Sequence, residues 1–301
     1  MKNKYIYIAC FVAFFGLLNV VGNKVLLIGI ERFYGLKQYS EILLIGHSQL
    51  MLSVDKDALE NALGEKVSKY TREGVNVYDR YFMVKQYLDT KYSDSLKLIL
   101  YGVDLHLFVK EGLSKDAYTL FYPFMGDSIM NAYIKENAHT QRDYLIHRFF
   151  PLTRYSDALL NASFRGWRDD FSNYKIGKIN IEEYKKSITF DEQKYNRPVE
   201  MDTTLIRFFE ETMNMITQRG IQVILLNMPV VDVLIQANNE NSETVFAYFQ
   251  KMADANERIE YWDLNSKYST LYDLFYDPIH VNPEGQQEIT DELIQRLKIN
   301  L

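Results

Sequence analysis

Two short stretches of this chain hold residue types that do acyl chemistry: Ile45-Gly46-His47-Ser48-Gln49 and Asp277-Pro278-Ile279-His280-Val281-Asn282. A serine hydroxyl is a poor nucleophile until a neighbouring base takes its proton. An imidazole does this near neutral pH when a carboxylate fixes its tautomer. Asp277 and His280, three residues apart on one loop, can face the same cleft, and Ser48 must then reach them from far away in the chain. Singly, each has a plainer reading: Ser48 as a helix cap, Asp277 before Pro278 as a turn start, His280 as a surface loop residue. In conjunction they point to a nucleophile, a base and an orienting carboxylate.

The surrounding pattern supplies elements to position them. Glu41–Gly46 is a short apolar run ending in glycine, as buried parallel strands are. Further strands are predicted at Val67–Tyr70, Leu96–Tyr101 (running into Gly102-Val103-Asp104), Ile221–Leu226 and Ile259–Leu264. Between them lie helical stretches at Lys56–Leu63, Val77–Leu88 and Thr203–Arg219, the last closed by Gly220. A final helix opens at Asn282-Pro283-Glu284, with Asn as cap and Pro in the first turn, and carries Ile289, Leu293, Ile294 and Leu297 on one face. Strand–helix alternation predicts an α/β fold with a doubly wound parallel sheet. Such sheets bind ligands at the carboxyl ends of their strands, where Ser48 and Asp104 stand.

The segment from Leu105 to Glu200 breaks the alternation. It is rich in aromatic residues, and an insertion at a strand's carboxyl end reads as a lid or substrate subdomain. Tyr122 and Trp167 are its candidates for stacking on sugar faces, with core packing as the alternative. The domain reading is therefore an anchor or signal at 1–24 and one α/β domain at 38–301 with 105–200 inserted.

That anchor is read from Tyr5–Gly22, eighteen residues without a charge and with one amide, Asn19. As a helix this stretch is about 27 Å long, enough to cross a bilayer core. Lys2 and Lys4 before it suit an uncleaved anchor with the rest of the chain outside the cytoplasm, while Lys24, Arg32 and Lys37 weaken the asymmetry. A cleaved signal and a buried soluble helix are the alternatives. Cys10 falls inside the span, and as the one cysteine it excludes a disulfide framework and a cysteine-based zinc site. Apolar residues at 47% and charged residues at 25% exclude wholesale disorder, and a net charge of −6 without a basic run argues against nucleic-acid binding. His106, His139 and His147 lack ligand-like spacing, so no metal and no cofactor are expected.

The arrangement resembles the SGNH/GDSL hydrolase family, in which the nucleophile follows the first strand and an Asp-x-x-His precedes the last helix. The resemblance covers roughly residues 41–104 and 221–298. It implies a flavodoxin-like fold with Ser48 as nucleophile, His280 as base and Asp277 as orienting carboxylate. It also implies an oxyanion hole from the amide of Ser48, a glycine matched by Gly74, and an asparagine whose place is held here by Asp104. A charged carboxylate repels an oxyanion, so Asp104 must be protonated, turned away, or replaced by another donor such as Asn76. His47 stands where the family has aspartate. One span, an outer SGNH-like domain and a large insertion are similar in layout to the alginate O-acetylation proteins and the D-alanine transfer protein of teichoic acids. These work beside a multi-pass membrane O-acyltransferase on a cell-surface polymer.

Three functions compete on this reading. One is an O-acyl, in particular O-acetyl, transferase or esterase acting on a cell-surface polysaccharide. A second is an accessory partner of a membrane O-acyltransferase without chemistry of its own, and a third is a lipid or small-ester hydrolase.

Overall fold

The computed structural model describes residues 2–110, 116–190, 199–236 and 239–300, so 111–115 and 191–198 of the inserted segment lie outside the described residues. Five strands, β1 (Ile42–Gly46), β2 (Val67–Thr71), β3 (Leu98–Val103), β4 (Gln222–Asn227) and β5 (Ile259–Asp263), form one parallel sheet in the order β2-β1-β3-β4-β5. This is a doubly wound order in which the chain direction reverses between β1 and β3.

Burial on both faces explains the composition of the strands. β1 and β3 are buried along their whole length, hence their unbroken apolar runs. Ile42, Leu44, Leu98, Leu100, Ile224 and Leu226 share a core with Leu59 of the helix Lys56–Leu63 and with Ile289, Leu293 and Leu297 of the helix Pro283–Asn300. Alternate residues point the other way, as the period of two in a strand requires. There Tyr101 meets Phe209 of the helix Thr203–Thr217 at 5.6 Å between ring centroids, and Phe209 meets Phe249 of the helix Asn239–Asp254 at 5.9 Å. β2 is different: it buries Ser68 and Lys69, each satisfied by hydrogen bonds, Lys69 through the carbonyl of Val54.

The segment between β3 and β4 divides between two compact units, Gln38–Lys115 with Ser172–Leu301 around the sheet, and Met1–Lys37 with Asp116–Phe171. In the second unit the N-terminal helix runs unbroken over Lys2–Tyr34 instead of giving way to a connecting segment after Gly22. Its further part has an apolar side to bury: Ile30 and Phe33 are buried, and the helix ends where Gly35 turns into the left-handed region. It packs against the helix Asp157–Trp167 at close range, and glycine makes this approach possible. A Cβ added to Gly166 would lie 1.8 Å from the carbonyl oxygen of Gly29. Ser163 Oγ donates to the Leu26 carbonyl and Trp167 Nε1 to the Val25 carbonyl, lacing the pair together.

Gly166→Ala is expected to cost roughly 1–3 kcal/mol, the range for overpacking, despite the ~1 kcal/mol that alanine gains in a helix. Limited proteolysis in detergent micelles should then cut within residues 116–171. Gly126→Ala, where the added methyl meets open space, should leave the cleavage pattern unchanged.

Candidate active site

Ser48 is delivered by the turn that ends β1. His47 is extended and caps the six-residue helix Ser48–Ser53, its Nδ1 accepting the amide hydrogen of Gln49 at 3.1 Å. The lone pair on Nδ1 is thereby used, so the ring hydrogen sits on Nε2 and is donated to Asp104 Oδ2, 2.8 Å away just past β3. The cap and the carboxylate together hold the backbone of Ser48 at the point where the strand order reverses.

His280 and Asp277 come from a two-stranded hairpin, Phe275–Asp277 and His280–Val281. Asp277 Oδ1 accepts the amides of Ile279 at 3.0 Å and His280 at 2.9 Å, closing the tight turn through Pro278. The same carboxylate takes the Nδ1 hydrogen of His280, 2.8 Å from Oδ2. That leaves Nε2 as an acceptor, and Ser48 Oγ lies 2.9 Å from it across 232 residues of sequence. Burial alone would raise the pKa of Asp277, but the hydrogen bond and charge of His280, with the Ile279 amide, outweigh it and hold the carboxyl below its ordinary value. A serine hydroxyl donating to an imidazole that donates to an ionised carboxylate can pass its proton to that imidazole as it attacks.

Polar contacts brace the hairpin from several directions. Ile179 N–H donates to the Phe275 carbonyl at 2.9 Å and Val231 N–H to the Pro278 carbonyl at 3.0 Å. Asn282 caps the last helix through Gly285 N–H and donates from Nδ2 to the Asp273 carbonyl. Gln286, one turn later, donates to the carbonyls of Leu52 and Asn173. It therefore ties the helix that starts at Ser48 to the helix that follows His280. Sequence reasoning missed Gln286 and also Arg80, whose Nη1 donates to the Gly102 carbonyl at 2.7 Å while its guanidinium lies over the Tyr101 ring. The available signals were positional: Gln286 and Arg80 each stand four residues after an asparagine cap, on helix faces that turn out to be buried.

Asp104 is turned to donors. Besides His47 it accepts the amide hydrogen of His106 at 2.8 Å. Burial opposes its charge, yet His47 and Arg80 more than compensate, so its pKa falls far below the usual carboxylate range. Burial dominates at His47 itself and pushes its pKa down, which agrees with the neutral tautomer set by Gln49. Gly74 lies three residues past β2 with a φ of 73°. Asn76 spends its side-chain oxygen on the amide of Asp79, in a capping box that starts the helix Val77–Leu88.

Tyr122 and Trp167 belong to the N-terminal unit. Tyr122 is only 5% exposed; His147 stacks on its ring at 4.1 Å and Tyr118 meets it edge-on, so its faces are spent on packing. Trp167 is more open, with Arg32 over its ring at 5.2 Å. His139 pairs with Asp116 and His147 bonds Thr153, while among the described residues no group of three or more His, Cys, Asp or Glu is placed to hold a metal ion.

No family model matches the sequence, and no curated protein sequence matches it. Among solved structures, it is similar to a candidate acylhydrolase of Bacteroides fragilis, at 11% identity and a TM-score of 0.40 over 85% of each chain. It is also similar to a protein of Streptococcus pneumoniae described as a candidate platelet activating factor, at 12% identity and a TM-score of 0.39 over 97% of this chain and 99% of that one. Likenesses this distant carry no argument about function, which rests on the geometry of Ser48, His280 and Asp277.

The buried His47 predicts a pH dependence of stability. Its folded pKa lies below the unfolded value of about 6.5, so between the two the unfolded chain holds more protons and stability rises with pH. The contribution is complete above about pH 6.5 and is lost as pH falls toward the folded value, at up to about 1.4 kcal/mol per unit. Asp104 adds its own loss only at lower pH, below the unfolded carboxylate value near 3.9. Chemical denaturation in detergent from about pH 5 to 7.5 should show a shallower slope for His47→Gln than for the parent chain. Equal slopes would remove His47 from this account.

Proposed function

We propose that this protein is a membrane-anchored serine esterase or O-acyl transferase of SGNH/GDSL type. On this reading it works outside the cytoplasm on an acyl ester, in particular an acetyl ester, of a cell-surface carbohydrate. The observation that carries the proposal is the continuous hydrogen-bonded chain from Ser48 Oγ through His280 to Asp277 at the carboxyl edge of the sheet.

In the first half-reaction Ser48 Oγ attacks the acyl carbonyl carbon while its proton moves to His280 Nε2. The imidazolium so formed is stabilised by Asp277, which keeps its charge throughout. The Ser48 amide, at the first position of its helix, has no partner in the helical ladder, and with the amide of Gly74 it is the proposed donor pair for the oxyanion. The intermediate collapses as His280 returns the proton to the leaving alkoxide, leaving acyl-Ser48 and a free alcohol. In the second half His280 takes a proton from the incoming nucleophile as it attacks the acyl carbon, and returns it to Ser48 Oγ as the bond between Oγ and that carbon breaks. Water gives the carboxylic acid, whereas a sugar hydroxyl gives a new ester.

What supports an anchored, envelope-facing enzyme is the one helix among the described residues that is long and apolar enough to cross a membrane, Lys4–Tyr34. What supports a polymer substrate is the resemblance in layout, read from the sequence, to the alginate O-acetylation and D-alanine transfer proteins. Asp104 favours a second reading, an accessory protein beside a multi-pass O-acyltransferase, because an ionised carboxylate in the asparagine position offers the oxyanion no hydrogen.

Ser48→Ala and His280→Ala should each lower turnover of an aryl acetate by about 1,000-fold or more, to a similar floor, because such residues act as a unit. Asp277→Asn should lose less, and a fluorophosphonate probe should label the parent chain on Ser48 alone. Unchanged turnover in Ser48→Ala would remove the enzyme reading and leave the accessory one.

Position 104 separates the two readings further. Asp104→Asn presents an amide to the two donors that now share the carboxylate, His47 Nε2–H and His106 N–H, and is expected to cost roughly 1–3 kcal/mol of stability without raising turnover. A rise in ester turnover would instead assign position 104 to the oxyanion site.

A further inference from the structure

We propose that the N-terminal unit carries a second membrane-contacting surface, formed by Leu145, Ile146, Phe149 and Phe150, which lies in the lipid beside the spanning helix. The proposal rests on the reading of the N-terminal helix as an anchor, and goes beyond it by assigning lipid contact to the inserted segment.

The first argument is depth. Along the helix Lys2–Tyr34 the insertion keeps a definite register: Tyr155 donates to Asn23, Leu152 covers Gly22 and donates its amide to Asn19, and the Phe150 ring lies 6.5 Å from that of Phe15. Phe15 is seven residues before Gly22, about 10 Å along a helix. A bilayer seated on Tyr5–Gly22 therefore immerses Phe150 by about that distance, the depth at which apolar faces of interfacial helices rest. Were the bilayer to stop short of Phe15, only Tyr5–Phe14 would remain within it, about 15 Å of helix against a core of ~30 Å.

Composition agrees with depth. Phe149 is 70% exposed, Phe150 48%, Leu145 39% and Ile146 38%, and Leu145, Ile146 and Phe149 fall on one side of the helix Gln141–Phe149. Four neighbouring large apolar side chains exposed to water would be a liability, whereas in lipid they are at home.

Hydrogen bonding supplies an independent argument. Irregular backbone tolerates lipid only where its polar groups are satisfied internally. Phe150 N–H donates to the Ile146 carbonyl, Pro151 has no N–H, Leu152 N–H donates to Asn19 Oδ1, and Thr153 N–H donates to the Phe150 carbonyl. Every amide from 150 to 153 is thus accounted for within the protein. Asn19, the one amide side chain of the apolar stretch, is buried by the same contact and donates to the Phe15 carbonyl. A loop bathed in water has no need of this accounting.

The test uses the full chain with Cys10→Ser, reconstituted in vesicles of phosphatidylcholine and phosphatidylglycerol. Single cysteines at Phe14 or Phe149, each carrying an environment-sensitive fluorophore, are read with lipids brominated on the acyl chain. Both labels should be quenched, that at 149 roughly twofold or more, and by the same brominated lipid, because the Phe150 ring lies beside Phe15 along the N-terminal helix. Quenching at 14 without quenching at 149 would overturn the proposal and leave the patch to a protein partner. No quenching at either would overturn the anchor reading, and the proposal with it.

Discussion

The buried contact between His47 and Asp104 is the constraint on which the site depends. It joins the end of β1 to the end of β3, the two strands between which the fold reverses direction. A carboxylate enclosed by protein is tolerated only with full hydrogen bonding and a compensating charge, and Asp104 has the ring hydrogen of His47, the amide of His106 and the nearby Arg80. In return the imidazole is locked in one tautomer. Its other nitrogen can then cap the short helix that begins with Ser48, so the electrostatics of a buried acid set the backbone on which the serine hydroxyl is carried.

His280 needs the same degree of control, and the fold obtains it differently. The hairpin is too short to hold a shape alone. Asp277 closes it by accepting two backbone amides as well as the imidazole hydrogen, and amides from Ile179 and Val231 pin its outer edge. Gln286 completes the arrangement by bonding at once to the Ser48 helix and to the returning insertion. Two separately braced pieces of backbone, from opposite ends of the sheet unit's sequence, thereby meet at hydrogen-bond distance.

The segment between β3 and β4 contributes to both compact units. Its later part returns to the sheet unit, where Tyr184 joins the core and Ile179 supports the hairpin. Its middle packs on the N-terminal helix through contacts that only glycine permits. The one stretch of chain between β3 and β4 therefore supports the hairpin in the sheet unit and packs within the N-terminal unit.

The centre of the sheet was legible in the chain because β1, β3 and β4 are buried along nearly their whole length, which writes them as short apolar runs. The last helix was legible through its cap and its Pro283, and the pairing of Asp277 with His280 through their spacing on one loop. These are local properties, set by burial and turn chemistry within a few residues. That Ser48 and His280 belong together was suggested by their residue types and positions and by the resemblance, but their meeting at hydrogen-bond distance was decided by the fold, since nothing in a linear sequence measures a distance across 232 residues. The state of Asp104 was undecided for the same reason: its charge depends on His47 and Arg80, which the sheet and a neighbouring helix bring to it. The continuation of the N-terminal helix past Gly22 to Tyr34, and the division of the insertion between two units, were also left to tertiary packing. Apolar residues such as Ile30 and Phe33 do not name the surface that will bury them, and a glycine such as Gly166 shows its purpose only when another helix comes close enough to need the space.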